Sequence, residues 1–224
     1  MIGMNSTEPT PGAPGPARQV RVRPYRPEDR GDVYDICIRT GDRGGDARHL
    51  YPDHDLLPSI FAGPYVEYDP ELAFVLDNGE RAVGYVIATA DTVRFAQQFR
   101  DHWLPSLADR YPRPAPDASP RTPTDQMLHL LHTPENIVLP QVVAEYPAHL
   151  HIDILPEYQG AGHGRALMAA CLAALADHGV PTVHLGMHPS NTRARAFYDR
   201  LGFTEIPVPD REDVTFLGRR TGEL

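Results

Sequence analysis

The chain has 224 residues, 41% hydrophobic and 23% charged, enough to bury the core of one large domain or two small ones. No apolar run approaches the ~18 residues a membrane span requires, and the opening MIGMNSTEPT lacks the basic and apolar stretches of a secretory signal, so a cytoplasmic location is expected. A formal net charge of −9 argues against nonspecific nucleic-acid binding; it leans toward amine-bearing partners, or serves solubility alone.

Residues 1–18 are rich in Pro and Gly with little to bury, and are expected to form a disordered tail before one domain spanning 19–224. QVRVRPY then alternates as a strand does, and Pro27 opens a helix with the apolar stripe Val33, Ile36, Cys37. GDRGGDARHLYPDHD is too rich in Gly, Asp and His for regular structure, and DLLPSIFAGPY follows as a short helix. ELAFVLD, the turn Asn78-Gly79 and ERAVGYVIATAD form a hairpin, whose second strand is apolar on both faces and therefore central. TVRFAQQFRDHWLPSLADRY reads as a helix interrupted at Pro105, with Trp103 as an anchor in the core. PRPAPDASPRTP is a surface link, and TDQMLHLLHT is a short helix capped by Thr124 or Asp125. This stretch reads as an insertion within one domain.

The last third is the most regular. AHLHIDIL is a strand, and GHGRALMAACLAALADHG is a helix with Leu167, Met168, Cys171, Leu172 and Leu175 on one face. PTVHLGM is a strand, and SNTRARAFYDRLGF is a helix with the stripe Ala194, Phe197, Tyr198, Leu201. TEIPV and DVTFLGR add two short strands. The order predicts an α/β fold with a mixed central sheet of about six or seven strands, helices on both faces and a helical insertion between the third and fourth strands. Cys37 and Cys171 fall on apolar helix faces and read as buried free thiols.

The segment His151-Ile-Asp-Ile-Leu-Pro-Glu-Tyr-Gln-Gly-Ala-Gly-His-Gly-Arg165 carries the chemical signal. A strand ends near Pro156 and a helix begins near Gly162. Gly160, Gly162 and Gly164 let the backbone approach an anion, the first helical N–H groups are unpaired, and Arg165 adds a full charge. That describes a pyrophosphate cradle, although a tight packing turn would read the same way. The Lys-Ser/Thr pair of a Walker loop is absent.

Gln159-x-x-Gly162-x-Gly164 resembles motif A of the GNAT acetyltransferases, with Leu155-Pro156-Glu157-Tyr158 extending the match upstream. Asn191-x-x-Ala194-x-x-x-Tyr198-x-x-x-Gly202-Phe203 resembles that family's motif B, one helix and one strand later. FAGPYV, GYVIATADT and HLGMHPSNTRARAFYDRLGF are similar to the acetyltransferase-like domain at the C-terminus of animal O-GlcNAcases and its free-standing bacterial relatives.

The resemblance implies a GNAT fold and acetyl-CoA as acetyl donor. It implies that the backbone of Gln159, Gly160, Ala161, Gly162, His163, Gly164 and Arg165 holds the pyrophosphate, that Ile154 and Leu155 pair with pantetheine, and that Asn191 contacts the cofactor arm. Tyr198 would protonate the leaving thiolate, a role its phenol suits, although its place on an apolar stripe also fits a core tyrosine. His149, His151 and Asp153 alternate along one strand and share a face. They either line an acceptor pocket, with His151 or Asp153 as base, or form a structural hydrogen-bond network; a metal site on His-x-His is the weaker option, and no metal is expected. Asp91, ending the neighbouring strand, would bring a further carboxylate to the acceptor. Asp177, His178, His184 and His188 carry no assigned role. The expected activity is acetyl transfer to a primary amine by direct attack, with a cofactor- or protein-binding module without turnover as the alternative. The acceptor stays open, as does oligomeric state, a homodimer included.

Overall fold

The computed structural model describes residues 19–115 and 119–224; the expected tail at 1–18 lies outside them. Extended QVRVRPY yields strand β1, Arg21–Pro24, and after a 3-10 turn at Pro27–Asp29 comes helix α1, Arg30–Thr40. Its Val33, Ile36 and Cys37 are buried, as their spacing predicts. Residues 41–55 are irregular. The single short helix expected next is two, α2 (Leu56–Phe61) and α3 (Gly63–Tyr68), divided where Ala62 leaves helical geometry.

Strands β2 (Ala73–Asp77) and β3 (Ala82–Thr89) form the expected antiparallel hairpin. Its loop is four residues rather than a two-residue Asn-Gly turn: Asn78 Oδ1 accepts the N–H groups of Glu80 and Arg81, and only Gly79 takes positive φ, at 89°. Every residue of β3 is buried, which fits a strand lying inside the sheet.

The insertion begins with α4, Thr92–Gln98, continues through a π-helical turn at Phe99–Trp103 and ends in α5, Leu104–Ser106. The helix is therefore disturbed just ahead of Pro105, whose ring and missing N–H disrupt the preceding turn. Trp103 is buried and donates Nε1–H to Ser59 O at 2.7 Å, which anchors the insertion on α2. Helix α6, Pro123–Leu131, is capped at Thr122 and not at Thr124 or Asp125: Thr122 accepts from Asp125 N–H, Asp125 answers with its carboxylate, and Pro123 supplies the first helical φ. A short α7, Pro140–Val143, leads to β4, Ala148–Ile154.

Helix α8, His163–Asp177, buries the five apolar residues its periodicity selects. Then follow β5 (Thr182–Met187), α9 (Thr192–Arg200), β6 (Thr204–Ile206) and β7 (Thr215–Arg220). The seven strands run in the order β1-β2-β3-β4-β5-β7-β6, antiparallel throughout except for the parallel pair β4–β5. On one face of β4 the side chains of His149 and His151 meet α3 and α4, with Tyr65 and Thr92 as their contacts, and Asp153 meets Tyr85 of β3. On the other face Ile154 approaches α8 at Gly164. One hydrophobic core runs from Val33 through Trp103 and Leu131 to Leu217, and includes both Cys37 and Cys171 as free thiols. No helix among the described residues is long and apolar enough to cross a membrane.

Candidate active site

Strands β4 and β5 pair only at Ala148↔Val183 and His149↔His184, so beyond His149 they separate. Main-chain groups alternate along a strand. Leu155 gives its N–H to Val83 O on the β3 side, which turns the backbone of Ile152 and Ile154 toward the gap. The Gln159 amide donates to Ile154 O at 2.7 Å, leaving Ile152 and the N–H of Ile154 as the edge that no strand pairs among the described residues. Both main-chain groups of Leu155 are engaged, with Val83 O and Tyr158 N–H, and its side chain is fully buried. The expectation that Leu155 pairs with a pantetheine arm is therefore corrected: it holds the turn that follows β4.

That turn delivers the cradle. Gly160 and Gly162 adopt φ of 81° and 84°, a left-handed backbone that L side chains enter at a cost of ~1–2 kcal/mol. Among the described residues the N–H groups of residues 160–165 have no acceptor; the first to find one is Ala166, on Gly162 O. Six consecutive amides at a helix N-terminus, with the helix dipole behind them, suit an anion. The three glycines do different work. A Cβ at Gly160 or Gly162 would meet nothing within 4 Å, whereas one at Gly164 would press on the Phe197 ring at 3.0 Å, so Gly164 serves the approach of α8 to α9. Arg165 is exposed and donates to Leu224 O at 3.0 Å.

Asn191 is the N-cap of α9, its Oδ1 accepting Ala194 N–H at 3.1 Å. It therefore caps the helix that carries Tyr198 and does not stand on that helix's face. The Tyr198 ring packs on Phe197 and Phe203, with centroids 5.2 and 5.4 Å away, and the residue is 8% exposed. Its hydroxyl has no hydrogen-bond partner among the described residues, yet it is not one of the buried polar atoms left unpaired, so it reaches solvent. Burial, with the nearby charge of Asp153 second, pushes this phenol up, which keeps it protonated.

On the polar face of β4 the antiparallel register sets Tyr85 opposite Asp153 and Thr89 opposite His149. Tyr85 donates to Asp153 Oδ2 at 2.7 Å, while burial raises the Asp153 carboxyl above its ordinary range. His151 sits 3.0 Å from the Tyr65 hydroxyl, and burial, assisted by His184, pushes it down to about 4. His149 has both ring nitrogens occupied, Nε2 by Tyr65 at 2.7 Å and Nδ1 by Thr92 at 2.7 Å. It presents no nitrogen to a substrate, and the substrate-binding role expected of it gives way to the network reading. Asp91 has a structural use as well: its Oδ1 accepts the N–H groups of Val93 and Arg94 as the N-cap of α4.

Four participants escaped the sequence reading: Tyr65, Tyr85, Thr92 and His184. His184 lies inside β5, sits tilted against His149 at 5.7 Å between ring centroids and donates Nδ1–H to Tyr146 O. The one available signal was chemical. Tyrosines on apolar faces need a partner for their hydroxyls, and the His-x-His-x-Asp strand needs donors. No group of three or more metal-ligating side chains forms among the described residues.

The chain has counterparts among known proteins. A family model described as Acetyltransferase (GNAT) family matches residues 42–203. The chain is 25% identical over 200 residues to Protein O-GlcNAcase of Rattus norvegicus, a match covering 88% of this chain and 22% of that protein, so it spans about a fifth of that relative's length. It is 37% identical over 68 residues to the [Ribosomal protein bS18]-alanine N-acetyltransferase of Haemophilus influenzae, 30% of this chain and 46% of the relative. The crystal structure of SsHAT superposes with a TM-score of 0.86 at 56% identity, covering 91% of this chain and 99% of that one.

Proposed function

The chain belongs to the GNAT acetyltransferase family, with acetyl-CoA as its acetyl donor, and on that premise we propose that it transfers the acetyl group directly to a primary amine. The observation that carries this reading is the Tyr198 hydroxyl, without a partner among the described residues and held toward its protonated form by burial, on the helix that follows β5, within electrostatic reach of Asp153. The amides of 160–165 bind the pyrophosphate, and the free edge of β4 at Ile152 and Ile154 pairs with the pantetheine arm, which sets the thioester in the gap between β4 and β5.

The amine nitrogen attacks the thioester carbonyl, the C–N bond forms, and the C–S bond breaks as Tyr198 gives its proton to sulfur. His151 takes the proton that the nitrogen sheds. A base pushed down to about 4 is too weak to deprotonate a free ammonium, but it serves a nitrogen made acidic by bond formation. The amine must therefore arrive neutral, and the rate should rise with pH until the amine is free. Asp153, held by Tyr85, provides the polar wall on the acceptor side.

The test is release of free coenzyme A thiol with a panel of small amines, peptide N-termini and lysine peptides. Transfer to at least one, confirmed by mass spectrometry of the acetylated amine, is expected. Tight acetyl-CoA binding with no transfer to any member would leave a binding module.

A further inference from the structure

The hydrogen bonds on the β4 face run in one direction. Thr92 Oγ1 lies 2.8 Å from Pro147 O and 2.7 Å from His149 Nδ1, and a hydroxyl has one proton to give. Given to His149, it would leave two oxygens facing each other at 2.8 Å with nothing between them. It therefore goes to Pro147 O, which can only accept, and His149 must donate Nδ1–H to Thr92. A neutral imidazole carries a single N–H, and burial keeps His149 neutral, so its Nε2 is bare and accepts the Tyr65 proton. With that proton spent, the Tyr65 oxygen can only accept from His151, at 3.0 Å. His151 thus carries its proton on Nε2 and keeps a lone pair on Nδ1. Nδ1 has no partner among the described residues and is not a buried orphan, so it opens to solvent.

We infer that Thr92, His149 and Tyr65 are positioning residues that lock His151 as the Nε2–H tautomer, so that Nδ1 is the atom available to take the proton of the attacking amine. The chain is anchored at a main-chain carbonyl and ends at the proposed base. Phe61 and Tyr65 stand edge-on to the His151 ring, at 5.8 and 5.1 Å, and hold its plane. This inference rests on the reading of His151 as the base.

Long-range ¹H–¹⁵N spectra of histidine-labelled protein at neutral pH report the tautomer of each ring directly. His149 is expected as Nδ1–H and His151 as Nε2–H. Thr92→Val removes the acceptor for His149 Nδ1–H, so the whole chain should reverse: His149 donates from Nε2, Tyr65 donates to His151, and the His151 proton moves to Nδ1. That variant should lose about 10²-fold in kcat, the scale of an acid–base group, while KM for acetyl-CoA holds. Tyr65→Phe cuts the chain in the middle; His149 should keep Nδ1–H while His151 spreads its proton over both nitrogens. A parent His151 protonated on Nδ1, or a Thr92→Val protein in which His151 stays on Nε2, overturns the inference. The rate of His151→Gln decides the base assignment separately: parent-level turnover there removes the base while leaving the tautomer order standing.

Discussion

Replacing Tyr198 and Tyr85 by Phe separates a chemical tyrosine from a structural one, since each substitution removes one oxygen from a buried ring. Tyr198 has no hydrogen-bond partner among the described residues, and its ring contacts with Phe197 and Phe203 survive in Phe. No bond is lost, so Tyr198→Phe should change stability by less than about 0.5 kcal/mol. If the hydroxyl protonates the thiolate, kcat should fall about 10²–10⁴-fold, or ~3–5 kcal/mol in the barrier. Tyr85 is the reverse case. Its hydroxyl is 2.7 Å from Asp153 Oδ2, and removing it leaves a buried carboxyl short of a donor, at a cost of ~1–3 kcal/mol. For a chain of this size that lowers Tm by roughly 2–4 °C per kcal/mol. The assays are thermal melting, coenzyme A calorimetry and steady-state transfer to an amine identified in the panel. Parent turnover by Tyr198→Phe, or a Tm loss as large as that of Tyr85→Phe with unchanged kcat, would show that Tyr198 is a core residue and that water protonates the thiolate.

Gly162→Asp puts a side chain and a negative charge at φ 84° in the amide cradle, and calorimetry should show coenzyme A binding lost with native circular dichroism; undiminished affinity would remove the cradle assignment. Asp91→Ala should cost ~1 kcal/mol as a lost N-cap and leave KM for the acceptor unchanged, which steady-state kinetics checks. Burial lowers His149, His151 and His184, so the unfolded chain binds more protons than the fold below the ordinary imidazole value; urea midpoints should fall as pH drops from ~6.5 toward about 4. Asp153 has the opposite sign: its raised carboxyl disfavours the fold once ionised, so Asp153→Asn should stabilise at pH 7, with the difference shrinking as pH falls through the raised value and gone below about pH 4. Limited proteolysis should leave a core starting near residue 19, and two independently folded pieces from cleavage at 112–123 would refute the one-domain proposal.

Several elements were legible because their cause is local. The α8 stripe Leu167, Met168, Cys171, Leu172, Leu175 obeys the helical period, and all five residues are buried. A β3 that is largely apolar on both faces belongs inside the sheet, and the glycines at 160 and 162 announce a backbone that other residues avoid. The readings that local pattern leaves incomplete cluster where one side chain has two uses. Asp91 and Asn191 looked like groups for a substrate or cofactor, but each lies where a helix starts, and an unpaired helix N-terminus claims such an oxygen first. Gly164 keeps its amide among those of the turn, and the Phe197 ring that forbids it a side chain arrives from another helix.

By itself the sequence determined the succession of strands, the strand–turn–helix segment after β4 and the shared face of His149, His151 and Asp153, because periodicity and glycine dihedrals act within a few residues. Tertiary structure decided which of those polar groups are occupied and which are free. Tyr65 meets His149 across 84 positions of chain and Tyr85 meets Asp153 across 68, so the state of each ring and carboxyl depends on a partner no local pattern names. A side chain's proton goes where acceptors are, and the fold alone places the acceptors.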